Sequence, residues 1–154
     1  MRKKIFTLVA VLMMTSLMTV FPEAGTTDIE YLDDGSSFVT VIEDEPGSGM
    51  NFFNKRKTIT KNKTTYYRDA GGKTVWYVKV TGTFTYGGGR AVCTDARVEA
   101  ESMNSIWRII DRSSSRSGNS ASATAIGGRY TNGTHVQKHR KTVTLRCSMT
   151  GVFS

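Results

Sequence analysis

The stretch TVWYVKVTGTFTY, residues 74–86, limits the fold more than any other part of the chain. Trp76, Val78, Val80, Phe84 and Tyr86 fall on one side of a period-two alternation, and Tyr77, Lys79, Thr81, Thr83 and Thr85 fall on the other. Only an extended strand with one buried face separates these two sets. Gly82 interrupts the apolar side, where a missing side chain predicts a bulge or a bend.

Further β-like runs follow at short intervals: AVCTDARV at 91–98, IWRII at 106–110, SASATAI at 120–126 and TVTLRCSM at 142–149. Ala70-Gly71-Gly72-Lys73, Gly118-Asn119 and Asn132-Gly133 carry the chemistry of tight hairpin turns between them. The only stretch near to helical periodicity is EAESMNSIWRIIDR, which leaves a short helix as the alternative there. The expected fold is all-β, an antiparallel β-sandwich or a small barrel-like domain. The alternating Ala121, Ala123 and Ala125 predict a strand closely approached by a bulky side chain, Trp76 or Trp107.

The chain opens with MRKK, the apolar run IFTLVAVLMMTSLMTV and then FPEA, the pattern of a secretory signal peptide over residues 1–24. The apolar run is short for a membrane span of roughly 20 residues, although an uncleaved anchor is the alternative, since Pro22 suits a cleavage site poorly. The expectation is a secreted, extracellular protein that meets a membrane only through its signal peptide. About 130 residues remain after that leader, the length of one domain.

Charge divides the remainder. Residues 25–50 hold Asp28, Glu30, Asp33, Asp34, Glu43, Asp44 and Glu45 with no Lys or Arg. Of the 21 Lys and Arg, three are Arg2, Lys3 and Lys4, so 18 fall in residues 51–154 against five acids there. The break lies at EPGSG, 45–49, which predicts an acidic linker or leader arm over 25–50 and a basic β domain over 51–154. The arm reads either as a disordered spacer or as a solvated leader in which FVTVI, 38–42, adds one edge strand.

Cys147 lies on the apolar side of the last strand with Val143, Leu145 and Met149. An exported chain with two cysteines has one intramolecular pairing, so a Cys93–Cys147 disulfide is expected, with two buried free thiols as the alternative. Such a bond would close a loop of about 55 residues, roughly 4 kcal/mol in the chain-entropy picture.

Motifs for catalysis fail on inspection. GGKT at 71–74 lacks the glycine a phosphate loop needs five positions before Gly72, where Tyr67 stands, and a strand follows it in place of a helix. His135 and His139 are spaced as on a metal-binding helix, yet they lie in a strand region, and Val136 stands where a zinc protease has Glu. No Gly-x-Ser-x-Gly elbow is present, and Asp95, Glu99 and Glu101 read as alternating charge on a solvated strand. The sequence therefore predicts no enzyme, no cofactor and no metal.

Two basic clusters stand out, Lys55, Arg56, Lys57, Lys61 and Lys63, and then Lys138, His139, Arg140 and Lys141. Brought together by the fold they would form a site for an anionic partner such as a cell-wall polymer, an acidic glycan or a surface protein. Nucleic acid is disfavoured, because no aromatic residues interleave with the charges.

WYVKVTGTFTYGGGRAVCTDARV, SIWRI, SGNSASA and TLRCSMTGVFS together resemble a family of small secreted proteins of Gram-positive, clostridial-type bacteria with a two-cysteine β domain. The resemblance implies export and a β fold and carries no mechanism. The leading expectation is a non-enzymatic β-sandwich module binding an anionic component of the cell envelope or a host surface. The second is a secreted cationic antibacterial or toxin-like protein masked by its acidic leader.

Overall fold

In the computed structural model, residues 25–44, 51–53 and 56–154 are described; the expected leader over 1–24, the EPGSG segment and Lys55 lie outside them. The strands are β1 (Gly25–Tyr31), β2 (Ser37–Asp44), β3 (Asn51–Phe53), β4 (Arg56–Arg68), β5 (Thr74–Gly87), β6 (Arg90–Ser102), β7 (Trp107–Ser117), β8 (Ser120–Thr131) and β9 (Thr134–Arg146). All strand pairs are antiparallel. One sheet runs β1-β2-β4-β5-β6 with β3 on one end of β4, and the other runs β7-β8-β9. They face each other as a β-sandwich in which β8 lies over β5 and β6, and no helix occurs among the described residues.

The alternation of β5 is the centre of the core. Trp76, Val78, Val80 and Phe84 are completely buried, and Tyr86 nearly so, on the face toward the smaller sheet. Ala121, Ala123 and Ala125 of β8 are buried opposite them, and Val143 and Leu145 of β9 continue that layer. The small residues leave room for rings. A Cβ on Gly127 would meet the Trp76 indole at 2.6 Å, and one on Gly82 would meet Phe84 at 2.5 Å and Ala121 at 2.9 Å. Gly82 is therefore a seat for the Phe84 ring, and the expected irregularity falls one step later, where the β5–β6 register shifts between Thr83 and Phe84.

The helical alternative for EAESMNSIWRIIDR resolves as the end of β6, a tight connection, and the start of β7. Asn104 shapes that connection by accepting the Ile106 amide on its side-chain oxygen at 2.9 Å. Trp107 then turns inward and packs on Tyr67, ring centroids 5.2 Å apart. The Asn132-Gly133 turn joins β8 to β9 with φ of 50° and 80°, the paired positive values of a two-residue hairpin. The GGKT stretch is likewise a turn, between β4 and β5, closed by the Asp69 carboxylate accepting the Gly71 and Lys73 amides at 3.0 Å.

Two expectations need correction. Residues 25–44 are not an arm: β1 and β2 belong to the larger sheet, β1 rather than FVTVI is its edge, and Phe38 is buried at 4% exposure. Two acids of this segment face lysines, Glu30 with Lys141 and Asp44 with Lys61. The Cys93–Cys147 disulfide is not formed, and both cysteines are buried free thiols. They lie either side of the β7–β8 turn, the Cys93 amide bonding to Gly118 O and the Cys147 amide to Asn119 O. Each thiol donates to a nearby carbonyl instead of bridging, Cys93 to Asp95 O at 3.1 Å and Cys147 to Ser148 O at 3.3 Å.

Candidate functional site

Strand parity decides where each basic residue goes. On β4 the odd-numbered residues share the face of the buried Tyr67, so Lys61 and Lys63 point toward the space between the sheets. On β9 the odd positions Lys141, Val143 and Leu145 face inward, and Lys138, Arg140, Thr142 and Arg146 face solvent. The two clusters therefore do not merge into one patch. Arg56 and Lys57 stand exposed at the start of β4, where Arg56 lines a shallow cavity of about 300 Å³ with Arg90. Lys61 is held by Asp44, and Lys141 by Glu30 with its ammonium 4.5 Å from the Phe38 ring.

Lys63 and Lys141 do line one cavity. The smaller sheet is narrower, so β1 and β2 project beyond it and leave a cleft of about 350 Å³ beside β9. Thr40, Ile42, Lys63 and Thr65 floor this cleft, Asp28 stands on its β1 side, and Phe153 and Ser154 close one end. Lys63 has its ammonium held below the usual lysine range, chiefly by burial, with Arg146 adding and Asp28 opposing. It makes no ion pair among the described residues.

The outer face of the smaller sheet is a different kind of surface. Ser113 of β7, Thr124 of β8 and Thr142 of β9 form one rung across it, and Ser115, Ser122 and Thr144 form the next. Neighbouring hydroxyls bond along the rungs, Thr124 to Thr142 at 2.8 Å and Ser122 to Thr144 at 2.9 Å. Strand geometry spaces such groups by about 4.8 Å across strands and about 6.8 Å along them. Lys138, Arg140 and Arg146 share this face on β9, and Arg108 of β7 lies over the Tyr130 ring at 4.9 Å. None of these four cations is in an ion pair among the described residues, and Asp111 is the acid in register with Arg140 through Ile126.

The hydroxyl rungs were missed in the sequence because RSSSRS reads as a polar run. The signal was its alternation: Ser113 and Ser115 face out, whereas Arg112 and Arg116 reach back to β6, donating to Ala100 O and Cys93 O at 3.2 Å each. Those two arginines close the opposite side of the sandwich, away from the hydroxyl rungs.

The histidines separate as well. His135 is exposed beside Tyr130, and His139 sits among Phe38, Tyr67 and Trp107, stacked on the indole at 5.8 Å. Burial holds the His139 imidazole below its ordinary pKa, opposed by Asp34. A cavity of about 370 Å³ opens beside this cluster, lined by Asp34, Tyr67, Asn104, Trp107, Arg129 and Gln137 among others. No group of three or more His, Cys, Asp or Glu gathers to hold a metal among the described residues. Glu99 is occupied by Lys79 at 2.8 Å and by the Tyr77 hydroxyl, and Asp95 by Arg97 at 3.3 Å. Comparison with protein-family models, with curated proteins and with solved structures gave no match.

Proposed function

We propose that this chain is an exported, non-enzymatic β-sandwich module that binds a repeating anionic polymer of the cell envelope or of a host surface through the outer face of β7-β8-β9. One observation carries the reading: two rungs of hydroxyl groups lie at regular strand spacing beside Lys138, Arg140, Arg146 and Arg108, all without ion-pair partners among the described residues. Phosphate or carboxylate groups repeating along a polymer would accept from the hydroxyls and arginines while the summed charge supplies attraction at longer range. The signal-peptide pattern over residues 1–24 supports export. The toxin-like alternative needs a removable acidic mask, and removal of β1 and β2 would strip Phe38 from the core.

The test is retention of the purified protein on isolated cell walls rich in anionic polymer, at low and at physiological salt. Replacing Lys138, Arg140 and Arg146 together by Gln should abolish retention at physiological salt, while Lys79→Gln, on the larger sheet, should leave it intact. Equal retention of the two variants would overturn the assignment of the face. Binding confined to low salt would reduce the positive surface to a general property of the protein.

A further inference from the structure

The free edge of β9 has a hydrogen-bonding pattern fixed by its register. Arg146 exchanges both backbone hydrogen bonds with Ser154, at 2.9 and 3.1 Å, so its N–H and C=O point away from β8. The β8–β9 register runs unshifted from Arg146 to Gln137. In an antiparallel pair, residues alternate between those that bond to the partner and those that turn outward. Thr144, Thr142, Arg140 and Lys138 therefore share the parity of Arg146 and direct their N–H and C=O groups to the open edge. The close Thr142–Thr124 and Thr144–Ser122 hydroxyl pairs agree, since side chains approach most nearly at the positions that do not bond across the ladder.

The cleft lies along this edge. Four consecutive β9 residues, Lys141 to Thr144, line it, and both parities of a strand border a cavity only when it runs beside the strand rather than over one face. No strand pairs with this edge from Arg140 to Thr144 among the described residues.

We infer that the β9 edge binds an extended acidic peptide, which adds as a further strand of the smaller sheet within the cleft. Main-chain bonds to Arg140, Thr142 and Thr144 would give affinity, and alternate side chains would give selectivity. The side chains of an added strand point alternately into the cleft, toward Lys63 and Lys141, and to the outer face, toward Lys138, Arg140 and Arg146. Against these five cations stand Asp28 and Glu30 on the cleft side and Asp111 on the outer face, so the edge keeps an excess of positive charge that favours acidic residues. A second copy is disfavoured, because β9 against β9 would gather Lys138, Arg140 and Arg146 of both copies on one face. This site shares Lys138, Arg140 and Arg146 with the polymer-binding face and differs from it in using the β9 backbone together with Lys63 and Lys141 of the cleft.

The probe is a short peptide alternating glutamate and valine, with two controls: the same peptide methylated at alternate backbone nitrogens, and the lysine-for-glutamate peptide. Amide exchange of the full chain is followed by NMR. The acidic peptide should slow exchange at Thr142 and Thr144, and both controls should bind about tenfold or more weakly. Thr142→Pro removes one edge N–H without touching the β8 ladder, which an edge strand tolerates, and should weaken binding comparably. Thr142→Val, which keeps the N–H, should bind as the parent does. Equal binding of the methylated peptide, or absence of protection at both threonines, would overturn the inference whether or not the proline variant folds. Self-association of the protein alone that protects these same amides would assign the edge to a second copy and also overturn it. Lys63→Gln, which lies in the cleft and off the outer face, should weaken binding of the acidic peptide and leave wall retention intact, which separates the two sites. Unchanged peptide binding in this variant would overturn the placement of acidic side chains in the cleft.

Discussion

Trp76 and Gly127 occupy one another's space: the indole ring lies where a Cβ on Gly127 would be, with its Nε1 at 2.7 Å from that point. The indole is completely buried, and its N–H has no partner among the described residues. The ring is held by shape rather than by a hydrogen bond.

Gly127→Ala should therefore destabilise the protein by about 1–3 kcal/mol, the usual cost of overpacking a core. Trp76→Phe in the same chain removes the clashing edge and the unpaired N–H, so the double variant should lose less than the sum of the single losses. Denaturant unfolding of the four proteins reads this coupling; strict additivity would mean that the two sites do not contact.

Burial pushes the Cys147 thiol up to about 11, with a smaller contribution from the nearby Cys93, and burial raises Cys93 as well. Because the thiolate is the reactive form, neither residue should be alkylated at neutral pH in the native protein, and both should react once it is unfolded. Mass spectrometry after native and denaturing alkylation measures this. Rapid native labelling of either thiol would contradict the packing of the two cysteines beside the β7–β8 turn.

His139 has a pKa lowered by burial, so between its folded value and the ordinary value of about 6.5 the unfolded chain binds more protons than the native one. Its contribution is whole above about pH 6.5, declines as pH falls through that window, and is constant below the folded pKa. Thermal unfolding across this range should show the slope in the parent and lose it in His139→Phe, which keeps a ring between Trp107 and Tyr67. Asp34, the opposing charge, has its carboxyl held down chiefly by the Ser36 hydroxyl and titrates far lower, outside this window. An unchanged slope in the variant would place the titrating group elsewhere.

The inner face of β5 was legible because a half-buried strand shows its two faces in alternation, and the alanines of β8 were legible because only bulky neighbours require them. The destinations of the cations were not. Parity separates Lys138 and Arg140 from Lys141 within β9, but which side is enclosed depends on how far the larger sheet projects past the smaller, and that depends on β1 and β2. Glu30 and Asp44 read as members of a separate acidic arm because a local charge count contains no information about pairing with Lys141, 111 positions away. The thiols were ambiguous for a similar reason: two cysteines define one pairing, yet local carbonyls satisfy each of them.

The sandwich is made of two meanders joined by residues 103–106. In β4-β5-β6 and again in β7-β8-β9 each strand pairs with its sequence neighbour, so both can close through short loops before any distant contact is made. This topology predicts that docking of one meander on the other follows their closure, so Trp76→Phe, at the contact over Gly127, should change the unfolding rate more than the folding rate in stopped-flow measurements.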